Sequence, residues 1–266
     1  MKPFLKWAGG KRWLIASDQF RPPAFAGRYI EPFLGGGAVF FHLQPKLAVL
    51  SDLNERLVET YVIIRDDVGR LIEKITEHHE LHSKDYYYEI RSMRPSEKLE
   101  RAAQFIYLNR ACWNGLYRVN LKGEFNVPIG TKNWILSDSD NFQATSAALQ
   151  DAIILSSDFE GTIDLATEGD MVFIDPPYTT AHNFNGFVKY NENIFSWDDQ
   201  IRLAEAIRRA AQRGASVLST NADHTSVRNL YEDFAQVRSI SRASVISGQI
   251  KGRQGVTELL IQCGGE

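Results

Sequence analysis

Cysteine is scarce here: Cys112 and Cys263 are the only two in 266 residues, and no Cys-x-x-Cys pair occurs. That excludes a disulfide framework and a cysteine-built zinc site, and it suits a reducing, cytoplasmic setting. No apolar run approaches the roughly 18–20 residues needed to span a membrane, and residues 1–7 lack the apolar segment of a signal peptide. No membrane association is therefore expected. Internal repeats and low-complexity tracts are also lacking. Nor is there an excess of one charge: 30 basic residues meet 33 acidic ones, for a net −3. What remains is an ordinary globular composition, 44% hydrophobic and 24% charged. The length suits one large domain, or one domain carrying an insertion.

The stretch that organises the rest is Met171-Val172-Phe173-Ile174-Asp175-Pro176-Pro177-Tyr178. Four apolar residues read as a buried strand. Two prolines then end it, because neither can donate to a sheet and both fix φ near −65°. The stiff turn leaves Asp175 and Tyr178 at the strand's carboxyl edge, where open α/β sheets bind ligands. A carboxylate beside a π-face can hold a planar, amine-bearing ring by stacking and by accepting a hydrogen bond from the amine. The plainer reading is a strand-ending turn with a surface acid.

Earlier in the chain, residues 4–11 combine Trp7, Gly9-Gly10 and Lys11: a stacking face, a tight backbone and a cation. Residues 28–31 read as a strand, followed by Pro32-Phe33-Leu34-Gly35-Gly36-Gly37 and a helix beginning at Ala38. Strand, glycine loop and helix form the first half of a nucleotide-binding unit. Its G-x-G-x-x-G fingerprint ends instead at Phe40, which favours an adenosine-type cofactor without a pyrophosphate. A second strand, 47–51, ends at Asp52, placed to accept hydrogen bonds from ribose hydroxyls or to cap the helix that begins near Asn54.

From residue 55 to 100 the pattern is helical and polar. His78 and His82 stand four apart, but no third ligand lies nearby and Glu77, His79 and Glu80 read as a solvated face, so no metal is expected. An amphipathic helix over 99–108 leads into residues 109–128. There Lys122-Gly123 has the chemistry of a hairpin turn. Arg118 and Lys122 lie among Trp113, Tyr117 and Phe125, with Asn114 and Asn120 close by. Cations interleaved with aromatics suit base edges and duplex wedging. Charge distribution points the same way. Between 101 and 132, Arg101, Arg110, Arg118, Lys122 and Lys132 meet one acid, Glu124; between 237 and 255, Arg238, Arg242, Lys251 and Arg253 meet none. Both regions suit phosphate contacts. Ile153-Ile154-Leu155 is a further strand, running into Asp158-Phe159. Ser196-Trp197-Asp198-Asp199 is a capping-box variant that starts a helix with Ile201, Ala204, Ile207 and Ala211 on one face, stopped by Gly214. A strand follows at 215–220. The tail reads as a basic loop and then a last strand at 258–261 that closes the sheet.

Taken together, residues 4–11, 31–41, 51–54, 107–130, 175–178 and 257–261 make the chain resemble the Dam-type DNA adenine-N6 methyltransferases (class alpha, D12 family). That family's motifs run in the order cofactor region, recognition insert, Asp-Pro-Pro-Tyr. The resemblance implies a Rossmann-like α/β methyltransferase fold: a mixed, mostly parallel seven-stranded sheet with helices on both faces. Residues 1–56 and 150–266 would form the S-adenosylmethionine-binding catalytic domain. Residues 57–149 would be an inserted, mainly helical DNA-recognition domain carrying a β-hairpin. It implies cofactor contacts at Trp7, Lys11, Glu31, Phe33, Gly35, Gly37, Asp52, Asp158, Phe159 and Asp175, with S-adenosylhomocysteine as product and no metal. Asp175, Pro176, Pro177 and Tyr178 would carry the chemistry. Trp113, Asn114, Leu116, Arg118, Asn120, Lys122 and Pro128 would meet double-stranded DNA, Arg118 as a bidentate donor to a guanine. The surroundings look like those of members that recognise GATC. Departures at Trp113, Tyr117 and Val119 bear on the sequence read rather than on the chemistry. A monomer is expected, in a bacterial or phage-host cytoplasm, with a cognate restriction endonuclease as a candidate partner.

The chemistry this implies is direct in-line transfer to the N6 of a flipped-out adenine, by positioning and electrostatics. Methylation at a pyrimidine carbon would call for a cysteine nucleophile, and neither Cys112 nor Cys263 sits in a suitable motif. The alternatives are another amine substrate, such as cytosine N4, an RNA adenine or a protein glutamine, or a catalytically silent DNA-binding regulator.

Overall fold

The computed structural model describes residues 1–120, 122–137, 139–180, 195–242 and 256–265. Two compact units emerge: Met1–Gly10, Leu34–Gln44 and Asp52–Ser156 form one, and Lys11–Phe33, Pro45–Ser51 and Ser157–Glu266 the other. In chain order the first elements are α1 (Arg12–Ile15), β1 (Tyr29–Glu31), α2 (Ala38–Leu43) and β2 (Ala48–Asp52). A helical run follows: α3 (Glu55–Asp66), α4 (Val68–Glu80), α5 (Lys84–Ser92) and α6 (Lys98–Ala111). Then come α7 (Phe142–Leu149), β3 (Ala152–Ser156), α8 (Phe159–Ile163) and β4 (Met171–Ile174). The described elements end with α9 (Trp197–Gln212), β5 (Ser216–Ala222), α10 (Thr225–Arg228), β6 (Gln236–Arg242) and β7 (Val256–Cys263). None of the described helices is long and apolar enough to cross a membrane.

Among the described residues, seven strands form one sheet in the order β3-β2-β1-β4-β5-β7-β6. β1 pairs in parallel with β2 and β4, and β4 with β5, while β7 runs antiparallel to both β5 and β6. This is the mixed α/β sheet expected. The order reverses between β1 and β4, so their carboxyl ends mark the topological switch point where such sheets bind ligands. β4 is buried at all four positions, as its unbroken apolar run requires.

Two readings of the tail and of α9 need correction. β7 does not close the sheet; it lies between β5 and β6, and the outer strand β6 occupies the start of the segment read as a basic loop. The only buried side chain among the first five residues of β6 is Ile240, so its hydrophobic pattern is too thin to register. In α9 the buried residues are Gln200, Leu203, Ala204, Ala206, Ile207 and Ala210, while Ala211 is half-buried and Ile201 is 38% exposed. Gln200 takes the core slot because Asn221 Nδ2 donates to its Oε1 at 2.9 Å. A paired amide can be buried at little cost. The capping box at Ser196 and Asp199 forms as read.

In the helical unit, α6 packs against α3, α4 and α5. It is buried continuously from Ala102 to Asn109 rather than along one stripe, because neighbouring helices cover it on several sides. Its polar residues are satisfied: Gln104 Nε2 donates to Ile90 O at 2.7 Å, and Asn109 accepts from Lys6 N at 3.0 Å while donating to Lys6 O at 2.8 Å. On α4, Glu77 and Glu80 are exposed as read, but His79 is half-buried. His78 is buried, its Nδ1 2.7 Å from Tyr86 OH, and its ring stacks on Tyr107. His82 Nδ1 lies 2.8 Å from Tyr107 OH, and His79 Nδ1 accepts from Ile135 N at 3.1 Å. Ring nitrogens here tie helices and loops together.

Candidate active site

Parallel register explains the first cluster. Ile174 of β4 faces Ser219 of β5, so the next residues along, Asp175 and Thr220, come side by side. Thr220 Oγ1 donates to Asp175 Oδ1 at 2.8 Å. Lys11, which opens α1, places its Nζ 2.7 Å from the same oxygen, and its side chain is only 3% exposed. β7 supplies Glu258, across from Ala222 of β5. Tyr178 OH donates to Glu258 Oε2 at 2.6 Å, and Lys11 Nζ lies 3.6 Å from that oxygen and 5.1 Å from the centre of the Tyr178 ring. A lysine thus sits between two carboxylates and against a phenol, at the carboxyl ends of parallel strands.

Burial sets the electrostatics. Asp175 has its pKa raised from the usual carboxylate range, because desolvation outweighs the lowering effects of Lys11 and Thr220. Burial likewise drives the Tyr178 phenol well above its ordinary value, helped by the charges of Asp175 and Glu258, so it is a neutral hydrogen-bond donor. Lys11 and Thr220 both bond Oδ1 of Asp175, which leaves Oδ2 as the oxygen for an incoming donor. The turn is held from behind, with Gln200 Nε2 3.5 Å from the Pro177 carbonyl.

At the end of β1, Glu31 is buried and accepts from Tyr29 OH at 2.8 Å. Phe33 stacks on Phe159 with ring centres 5.4 Å apart, and Phe195 packs edge-on to Phe33. Asp158 caps α8 by accepting from Glu160 N and pairs with Arg202 at 2.9 Å. The Arg202 guanidinium also lies over Phe159. Phe33 and Phe159 therefore form one aromatic wall, whereas the Asp158 carboxylate is engaged by its own helix and an arginine.

The glycine loop, in the helical unit, wraps two aromatics. Gly35 has φ +47° and a Cβ there would fall 2.6 Å from Trp7 Cδ1; Gly37 has φ +65° and a Cβ there would meet Tyr61 OH at 2.9 Å. Only glycine combines that backbone with that approach. Gly35 N donates to Asp52 Oδ2 at 2.9 Å and Asn54 N to Oδ1 at 3.0 Å, while Tyr61 OH donates to Gly35 O. Burial raises the pKa of Asp52 despite those donors. Helix α3 is capped by Asn54, not by Asp52. That removes the capping role from Asp52 and leaves a strand-tip carboxylate held by two backbone N–H groups. Such a carboxylate keeps acceptor capacity for a diol. This donor set fits an adenosine-type cofactor.

In the segment expected to read DNA, Trp113–Gly115 forms a single 3-10 turn with Asn114 at φ 57°, and Trp113 is 52% exposed. Trp113 N donates to Pro128 O at 2.9 Å, which ties the turn to the segment leaving the hairpin. The hairpin shows as an antiparallel bridge between Val119 and Phe125. Asn120 builds its turn: the side chain accepts from Lys122 N and Glu124 N and donates to Glu124 Oε2. Arg118 is exposed, with Nε donating to Asn126 Oδ1 at 2.8 Å; Leu116, Lys122 and Pro128 are exposed as well. Trp7 stacks on Tyr117 at 5.4 Å, so one tryptophan backs both the glycine loop and the hairpin. Two of the basic residues are committed inside the fold, Arg101 to Glu59 and Arg110 to Asp140 and the Phe4 carbonyl. Lys132 lies over Trp134. Lys251 and Arg253, and the side chain of Arg242, lie outside the described residues.

Sequence reasoning did not single out Glu258, Thr220 or Tyr61. For Glu258 a signal existed, an acid inside an otherwise apolar strand; for Thr220 and Tyr61 only the register and the packing reveal them. Both cysteines are buried and their thiols are pushed up to about 11, so neither is a ready nucleophile.

Comparison with known proteins gives a consistent answer. Residues 7–245 match the family described as D12 class N6 adenine-specific DNA methyltransferase. The chain is 36% identical to Type II methyltransferase M1.LlaDCHI of Lactococcus lactis subsp. cremoris, over 98% of this chain and 95% of that one. It is 37% identical to Type II methyltransferase M.MjaIII of Methanocaldococcus jannaschii, over 98% of each chain. The DNA adenine methylase of Vibrio cholerae is 33% identical, over 97% of this chain and 95% of the other.

Proposed function

Because the chain belongs to the D12 class N6 adenine-specific DNA methyltransferases, we propose that Asp175, Pro176, Pro177 and Tyr178 receive a flipped-out adenine and methylate its N6 within GATC. The observation that carries this reading is the Asp175–Lys11–Tyr178 cluster at the sheet's switch point. Trp7, Lys11, Glu31, Phe33, the Gly35–Gly37 loop, Asp52, Asp158, Phe159 and Asp175 would hold S-adenosylmethionine, which supplies an electrophilic methyl group on a sulfonium. Asp52, with its two carboxylate oxygens already aligned by backbone donors, is the fitting acceptor for the ribose hydroxyls. Residues 57–149 serve as the DNA-recognition part, with Arg118 reading a guanine and Trp113 wedging into the duplex.

The adenine amine is a weak nucleophile because its lone pair is conjugated into the ring. An N–H donated to Asp175 Oδ2 and another to the Pro176 carbonyl would pull the nitrogen toward a tetrahedral shape, freeing the lone pair for in-line attack; the N–C bond would form as the S–C bond breaks, S-adenosylhomocysteine would leave, and the cationic amine would release one proton to water. The Tyr178 ring would stack on the base, offsetting part of the few kcal/mol that flipping costs with ~1–3 kcal/mol of stacking. Lys11 lowers the Asp175 pKa, opposing the burial that raises it. No covalent intermediate is required, since the chemistry is orientation and electrostatics.

The test is methylation mapping of plasmid DNA from a methylation-free host expressing this chain. N6-methyladenine confined to GATC is the expected result. N6-methyladenine in another motif would discard the recognition assignment and keep the chemistry; methylated cytosine N4 would overturn both.

A further inference from the structure

Glu258 is a buried acid in the middle of a sheet, with a side chain 4% exposed. Its position across from Ala222 makes no demand for a charge. A carboxylate removed from water is costly unless it is paired, so its partners indicate its purpose. Among its partners are two groups that, on the reading of this site, meet the base or its acceptor. Glu258 Oε2 takes the Tyr178 hydroxyl at 2.6 Å and stands 3.6 Å from Lys11 Nζ; that nitrogen in turn stands 2.7 Å from Asp175. A tyrosine tethered only by its Cβ can swing about two torsions. One whose hydroxyl is bonded to a fixed strand has a set ring plane. A lysine between two carboxylates is likewise located from both sides.

We propose that Glu258 is a positioning residue for methyl transfer. It fixes the plane of the Tyr178 ring and holds Lys11 against Asp175, so that both are set before the adenine arrives. The proposal rests on the reading of Asp175–Tyr178 as the base-receiving site. It predicts that Glu258 acts largely through the Tyr178 hydroxyl, and hence that the two residues are energetically coupled.

The experiment compares wild type, Glu258→Gln, Glu258→Ala, Tyr178→Phe and the Glu258→Gln/Tyr178→Phe double variant, with duplex DNA and S-adenosylmethionine at saturation. Single-turnover methyl transfer, DNA affinity, and the emission of 2-aminopurine at the target position are read for each, beside the thermal midpoint. Misplacement of a reacting partner by about an ångström can cost ~10²-fold. The expected result is a loss of that order for Glu258→Ala with DNA affinity little changed, a smaller loss for Glu258→Gln, and brighter 2-aminopurine where the ring no longer stacks in register. Glu258→Gln should cost markedly less in the Tyr178→Phe background than alone. If Glu258→Ala does not fold, the Gln and Phe cycle decides the matter by itself. Unchanged single-turnover rates, or strictly additive losses with unchanged 2-aminopurine emission, would overturn the proposal. A wild type that transfers no methyl group to adenine would instead overturn the reading beneath it.

Discussion

β4 carries an aspartate at each end, and the two are built in opposite ways. Asp170, just before the strand, has a side chain 3% exposed and is saturated with donors. Arg28 gives it a backbone N–H at 2.6 Å and guanidinium bonds at 2.6 and 3.4 Å, and Thr167 adds its N–H and its hydroxyl. Burial would raise its pKa, but these donors prevail and hold it below the usual range. Asp175, just after the strand, has a lysine and one threonine on a single oxygen, and burial prevails, so its pKa is raised. Asp170 is a carboxylate whose charge the fold satisfies, whereas Asp175 is left with the oxygen that, on the proposed reading, takes the adenine amine.

The largest effect should come from breaking the second of these. Asp175→Asn replaces an anionic acceptor with an amide and should cut single-turnover methyl transfer by ~10²–10³-fold or more. Its thermal midpoint should hold or rise, since a carboxylate whose pKa the fold raises opposes folding at neutral pH. Asp170→Asn should do the reverse. Losing charge-assisted bonds to Arg28 and Thr167 should cost about 3 kcal/mol of stability, read from denaturant unfolding, with methyl transfer kept in the folded fraction. The sign with pH follows from its lowered pKa. Asp170's contribution is present above the unfolded-state value and is lost as pH falls through the folded-state one, so the variant should show a shallower acid slope of stability.

Lys11→Gln sharpens the contrast rather than breaking it. Removing the cation removes a cause that lowers the Asp175 pKa, so the acidic limb of the transfer rate should move to higher pH. A limb that stays in place would mean that Asp175 is not the titrating group. Smallest, Arg118→Ala should cost ~1–3 kcal/mol of discrimination at one guanine, measured as relative transfer to DNA substituted at that base pair. A uniform loss over all sequences would make Arg118 a phosphate contact.

Much of this contrast was legible in the residue order, though not evenly. The strand, the double proline and the acid of 171–178 fix a local geometry that no distant contact can alter much, and the glycines at 35 and 37 announce a close backbone approach. The partners of Asp175 were partly hidden. Lys11 could be named from its glycine turn, but Thr220 depends on strand register and Glu258 on a crossing from the far end of the chain. Helix faces failed where a polar residue was paired: Gln200 is buried by Asn221 while Ile201 stands exposed. The same holds for His79, grouped with Glu77 and Glu80 as a solvated face, whose ring accepts from Ile135 N. Asp170 drew no notice, because nothing local distinguishes a satisfied buried acid from a turn residue.

Two aspartates five residues apart are proposed to have different jobs, and one experiment measures both. Asp170→Asn and Asp175→Asn should be compared with wild type for single-turnover transfer of methyl to adenine in duplex DNA and for thermal unfolding. A crossed result is predicted: Asp175→Asn folded but silent, Asp170→Asn active but less stable. Near-normal transfer by a folded Asp175→Asn protein would contradict the account.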